Sequence, residues 1–341
     1  MCIYLDKAIV PLVHPHWQLS TVSLPVLVSM DLTAVAGLSS QWIPSYLPSL
    51  QHLTLRRLSV AFTHLPLPQL TSLELHDLDF RSRDLASLLD VLKTCTSLQR
   101  FVFADTEDMP FNVSSVAAGY RVSLPHIRRS CITAASADTS SLLAHVLLAK
   151  QTHLLLYPND FLEPRDWSDR IPVLHTFLLR DTAYWPAMKD VTHIMVWWDE
   201  CDLTVCADRA DTEFWESHPW RSLDLINMNS VVDELSPPPP PALVIKHIKI
   251  SWPHPIAGPL LSVVKELGDF FPASAKTLVL RGIAEDIPKQ IWAETLAKFP
   301  AIEHFEIVAE EDAMCAFPLA LRPTSSGFLA FVCGSSCCDT K

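Results

Sequence analysis

Apolar residues recur along this chain in a short, fixed arrangement. Leu47-Pro48-Ser49-Leu50-Gln51-His52-Leu53-Thr54-Leu55 returns as Leu67-Pro68-Gln69-Leu70-Thr71-Ser72-Leu73-Glu74-Leu75, and both continue to a further leucine, Leu58 and Leu78. The same L-x-x-L-x-L skeleton reappears at Leu98, Phe101 and Phe103, and at Leu174, Phe177 and Leu179. Weaker copies occur at Val191, Ile194 and Val196, at Ile245, Ile248 and Ile250, and at Ile302, Phe305 and Ile307. Partial copies include Leu27, Met30 and Leu32, the pair Leu154 and Leu156, the pair Leu223 and Leu225, and the pair Leu278 and Leu280.

In the x-L-x-L-x core of each copy, the two leucines project to one side of a short strand and their neighbours to the other. A single strand cannot bury that side. Copies stacked side by side form a parallel sheet with a continuous apolar interior, which the return path of each repeat must cover. Several returns carry helical periodicity. Arg83 to Lys93 places Leu85, Leu88, Leu89 and Leu92 on one helix face, and Ser140 to Lys150, Pro259 to Phe270 and Lys289 to Lys298 read the same way. Proline-rich stretches such as Trp252-Pro253-His254-Pro255 stop the helices.

Short alternating cores at spacings of 20 (Leu53 to Leu73) and 28 (Leu73 to Phe101) predict an α/β fold, an irregular leucine-rich-repeat solenoid. Parallel strands would line its concave face, with helices or loops on the convex face. Residues 1–23 form an N-terminal segment or cap, residues 24–317 the solenoid, and residues 318–341 a tail expected to be disordered, since composition shifts after Phe317. The repeat is irregular at its turns. Regular versions place Asn or Cys where this chain has Leu58, Leu78, Thr106 and Thr182.

The strand assignment predicts which side chains face outward. Among them are His52, Arg56, Glu74, His76, Arg100, Arg180, His193, Trp197, His247, Lys249, Arg281, His304 and Glu306, the expected partner-binding set. Trp197 stands out as a candidate anchor because it follows the inward Val196. The chain carries a net charge of −12, yet this face mixes Arg, Lys and His, which points to an acidic or phosphorylated protein segment as ligand.

Composition narrows the alternatives. Hydrophobic residues make up 49% of the 341, with mean hydropathy +0.21, enough to build a core. No apolar run reaches the roughly 18 to 20 residues that span a bilayer, and Asp6 and Lys7 interrupt a start unlike a signal peptide, so a cytoplasmic or nuclear location and no membrane partner are expected. A pI near 5.5 argues against nucleic acid. Nine widely spread cysteines fit reduced thiols better than a disulfide framework. Seven glycines against 27 prolines leave no phosphate-cradling loop.

Catalytic motifs are absent, so no enzyme activity, cofactor or metal is expected. His14, His16, His153, His193, His218, Cys201 and Cys206 are candidate metal ligands by residue type alone, and the gap between Cys201 and Cys206 exceeds that of a zinc knuckle. Pro237 to Pro241 read as a stiff polyproline loop, and Cys333 to Cys338 as part of the tail.

The L-P-x-L openings at Leu47 and Leu67, the F-P-x-I-E-x-F-x-I element at Phe299 to Ile307, and Ile291-Trp292 before Phe299-Pro300 resemble the repeat portion of fungal F-box-like leucine-rich-repeat proteins. The resemblance spans Leu24 to Ile307. It implies a protein-binding receptor, the substrate-recognition part of a cullin-type ubiquitin ligase. In that family a helical F-box grips the ligase adaptor. Met1 to Ser23 is too short and proline-broken to hold one, so adaptor binding would need an F-box supplied outside these residues. The alternatives are a repeat-only scaffold without a ligase link and, further off, a hydrolase using a His with Asp or Glu.

Overall fold

The structure is a computed structural model that describes residues 2–5, 26–33, 47–57, 67–78, 84–105, 110–159, 173–179, 185–199, 202–209, 242–249, 258–283 and 287–309. Its strands are β1 (Cys2–Leu5), β2 (Ser29–Thr33), β3 (His52–Arg56), β4 (Ser72–His76), β5 (Arg100–Ala104), β6 (Val122–Leu124) and β7 (Arg129–Ala134). They continue with β8 (Val146–Leu148), β9 (His153–Pro158), β10 (His193–Asp199), β11 (Asp202–Asp208), β12 (Leu243–Lys249), β13 (Thr277–Ile283) and β14 (His304–Ala309). The helices are α1 (Leu85–Thr94), α2 (Ser136–His145), α3 (Leu174–Phe177), α4 (Gly258–Phe270) and α5 (Lys289–Lys298), with a 3-10 turn at Pro186–Asp190.

Twelve strands form one mostly parallel sheet in the order β1-β2-β3-β4-β5-β7-β9-β12-β11-β10-β13-β14. Its registers align the alternating apolar positions in two rows. One runs Leu53, Leu73, Phe101, Ser130 and Leu154, then Leu243, Ala207, Ile194, Leu278 and Phe305. The other runs through Leu55, Leu75, Phe103, Ile132 and Leu156 to Ile245, Val205, Val196, Leu280 and Ile307. All twenty are buried. Each fully buried leucine contributes roughly 1.5–3 kcal/mol, so the paired rows supply the main drive for stacking.

The entry to several strands repeats as well. The amides of Leu50, Leu70, Leu98 and Ile127 donate to the carbonyls of Leu47, Leu67, Cys95 and Leu124, each closing a four-residue turn. The proline of Leu47-Pro48 and Leu67-Pro68 presets the second turn position. Two successive amides then donate to one carbonyl of the preceding copy: Gln99 and Arg100 to Thr71, and Arg128 and Arg129 to Gln99. Register therefore propagates from copy to copy at the turn edge.

A second layer covers the leucine side. α1 packs on β6, which pairs in parallel with β8; α2 packs on β7, β8 and β9 and touches α3, which touches α4, which packs on α5. Buried helix residues such as Leu88, Leu92, Leu142, Val264 and Trp292 join the strand leucines in one hydrophobic cluster. Asp84 caps α1, its carboxylate accepting the Ala86 and Ser87 amides at 3.3 Å.

Several expectations are corrected. Leu174, Phe177 and Leu179 do not form a strand: Leu174–Phe177 is a helical turn. The buried Glu266 of α4 accepts the Val173 amide at 2.6 Å and the His175 amide at 3.0 Å, meeting the orphan donors of that turn and favouring helix over strand. The predicted helix Ser140 to Lys150 ends at His145, and Val146–Leu148 instead pairs with β6 as a strand. The sheet is not wholly parallel. Residues 200–201 are too short a link to bring the chain back for a parallel neighbour, so β11 runs antiparallel between β10 and β12.

Gly282 lies at a register shift in β13 with φ of 75°, and a Cβ there would overlap the Trp198 carbonyl oxygen. Only glycine suits that approach. The copy at Leu223 and Leu225, the polyproline run Pro237 to Pro241, and the tail residues 318–341 lie outside the described residues, as do most of residues 1–23. β1, within that N-terminal segment, pairs with β2 at the end of the sheet. Among the described residues no helix is long and apolar enough to cross a membrane.

The alternation is open to test by paired substitutions on β3. Leu55→Ala, at a site with no solvent exposure, should cost about 2–5 kcal/mol in urea denaturation, whereas the adjacent Thr54→Ala should cost less than about 1 kcal/mol. Equal effects would be incompatible with this strand orientation.

Candidate functional site

The side of the sheet away from the helices carries the residues between the leucines. Register again arranges them in rows across the strands. The central row runs Asp31, Thr54, Glu74, Val102, Cys131, Leu155, Val244, Cys206, Met195, Val279 and Glu306. Its middle is apolar and its flanks acidic. Val102, Cys131, Val244, Cys206, Met195 and Val279 are buried but stand apart from the leucine cluster, so this face has an apolar spine of its own. Burial pushes the Cys131 thiol up to about 12 despite the opposing influence of Arg100. A thiol held so far above neutral pH is protonated and a poor nucleophile.

At one end of the spine Glu74 is the centre of a charged knot. Arg100 Nη2 lies 3.2 Å from its carboxylate, His76 Nε2 3.5 Å and Arg56 Nη2 4.0 Å, and Arg56 Nε also approaches Asp31 at 3.9 Å. Burial raises the Glu74 carboxyl, but His76, Arg100 and Arg56 together hold it below its ordinary value of 4.5. Asp31 moves the other way. Its burial outweighs the attraction of Arg56, and the nearby Glu74 adds to the rise.

The far end repeats the device. Arg281 donates from Nε at 3.1 Å and from Nη2 at 2.8 Å to one oxygen of Glu306, and His304 Nε2 lies 3.8 Å from the other. Adjacent parallel strands place each cation beside a carboxylate, so both knots follow from register. Arg56, Arg100 and Arg281, expected to be offered to a ligand, are thus already engaged by Glu74 and Glu306.

The remaining members of the expected set divide. His52 is exposed at the start of β3. His193, expected to face outward into solvent, is buried, its Nδ1 at 2.8 Å from the Thr192 hydroxyl oxygen. Trp197 is half-buried, beside Thr204 and Arg281 in register, so it is no free-standing anchor. His247 and Lys249 belong to β12 beyond a register shift, but their side chains lie outside the described residues, as does Arg180.

Arg128 and Arg129, exposed where β7 begins, were not among the expected residues. Leu124-Pro125-His126-Ile127 copies the opening at Leu47 and would have located β7. Among the described residues no three His, Cys, Asp or Glu side chains come together as a metal would require. His14, His16, Cys201 and His218 fall outside the described residues. No family model, curated protein or solved structure matches this chain.

Glu74 has a signature in acid. A carboxyl with a lowered folded value contributes stability that is present above pH 4.5 and is lost as pH falls through that lower value. Glu74→Gln should therefore flatten the decline in unfolding free energy below about pH 4.5, measured by urea denaturation across pH 3–7. An unchanged acid limb would mean that the knot does not hold the carboxylate.

Proposed function

We propose that this chain is an irregular leucine-rich-repeat solenoid acting as a protein-binding receptor, of the kind that selects substrates for an F-box-type ubiquitin ligase. The observation that carries the binding reading is the division of labour between the two sides of the sheet. The leucine rows and helices occupy one side, while the other presents charged, aromatic and apolar residues in register over many strands, without a described helix upon it. Such a surface suits an extended protein partner better than a small molecule, since its polar groups are spread along the array rather than gathered in one deep cavity.

The charge pattern favours an acidic or phosphorylated segment. His52 and Arg128 are exposed along the strand starts in a chain of net charge −12, where each can meet carboxylate or phosphate oxygens. The ligase assignment rests on the family resemblance, and a ligase adaptor would reach this chain through an F-box. The proposed location is cytoplasmic or nuclear.

The test is affinity capture from cells with the wild-type chain and with His52→Glu/Arg128→Glu, both at exposed positions. The double variant should keep its fold by circular dichroism and lose at least about tenfold of the specifically recovered protein. Undiminished recovery would move binding off this face. Recovery of a partner without cullin or adaptor would leave a receptor and remove the ligase role.

A further inference from the structure

At the turn edge, where β5, β7 and β9 begin, Ser97, Gln99, His126, Arg128 and Gln151 line a depression of about 280 Å³. Ser97, His126 and Gln151 hold the same third position in three successive turns, closed by the amides of Leu98, Ile127 and Thr152. Gln99 and Arg128 are the residues that follow the first two of these turns, and their backbone carbonyls accept the amides of the next strand. Repeat geometry therefore gathers the five side chains. Strands about 4.8 Å apart bring three such turns within roughly 10 Å.

Three features of this depression bear on what it can hold. Its lining contains no carboxylate, although the chain has 38 acidic residues against 26 Lys and Arg. Gln99, His126, Arg128 and Gln151 are exposed, with Ser97 half-buried. Among the described residues, none of the five side chains has a hydrogen-bond or ion-pair partner, in contrast to Arg56, Arg100 and Arg281. Hydroxyl, amide, imidazole and guanidinium donors are thus left together without an acceptor. The depression is smaller than pockets for drug-sized ligands, about 300–1,000 Å³, and suits a single charged group.

We propose that this depression is an oxyanion site that takes a phosphate monoester, with Arg128 as its cationic donor and Ser97, Gln99, His126 and Gln151 supplying neutral ones. Guanidinium offers two parallel N–H groups to phosphate oxygens, and amides from the neighbouring turns can reach the remaining oxygens. The site deepens the receptor reading, from which it borrows the expectation that a phosphorylated protein segment carries the ester. The binding chemistry itself needs no protein partner.

The experiment is a titration of the isotope-labelled full chain with inorganic phosphate at constant ionic strength, followed by the side-chain NMR signals of Arg128 and His126. Both signals should shift saturably, while that of the exposed Arg57, just after β3, should not. Arg128→Gln should weaken the apparent affinity about tenfold with an unchanged urea transition. O-phosphoserine should reproduce the shifts and aspartate should not; equal binding of aspartate would overturn the phosphate assignment. Shifts that fail to saturate, that are matched at Arg57, or that survive Arg128→Gln would overturn the site. Because no protein ligand is used, failure here is separate from failure of partner capture.

Discussion

Two apolar side chains on the same side of a five-residue strand are too many to expose and too few to form a core. Only a neighbour with the same pattern in the same register can extend the cover, so each copy depends on the next. The rows that pass through Leu53, Leu73 and Phe101 and through Leu55, Leu75 and Phe103 are that dependence made visible. The turn edge enforces it independently, since amides of one copy donate in pairs to a carbonyl of the copy before. Everything on the opposite side is placed by the same register. Glu74 meets Arg100, and Arg281 meets Glu306, because the leucines beside them have already aligned the strands.

That dependence also alters what a charged residue on the second face can do. A desolvated carboxylate between arginines is an internal partner, and it competes with any external anion for the same donors. Cations inside the knots, Arg100 at the start of β5 among them, contribute to the sheet, whereas a few placed ahead of a strand have no carboxylate partner among the described residues. His126 and Arg128 fall in the second class because they lie ahead of β7, beyond the rows of the sheet. On the proposed reading, anion binding therefore falls at the entry to β7 rather than in the middle of the strands.

Much of the sheet was legible in the chain because its pattern repeats locally. β3, β4, β5 and β14 follow from Leu, Phe and Ile pairs at strand spacing, and α5 begins and ends where periodicity places it. β7 was not, because its inward residues include Ser130, which a search for two large apolar side chains passes over. Leu174 and Phe177 share the spacing of the strand skeleton, and the deciding contact comes from Glu266, 91 residues away from His175. The alternation of Leu203, Val205 and Ala207 does mark β11, but its place between β10 and β12 depends on long-range pairing. For the copies that form strands, the outward residues were legible as strand positions and not as solvent exposure, since burial of His193 and Met195 depends on neighbours that only the assembled sheet supplies.

The junction between β9 and β12 bears most directly on whether one sheet runs through the chain, because these strands are far apart in sequence and join its two halves. Cross-strand nuclear Overhauser effects there read the pairing without reference to function. A continuous sheet predicts parallel-strand contacts that align Leu154 with Leu243 and Leu155 with Val244. Antiparallel contacts, or none between these segments, would contradict it.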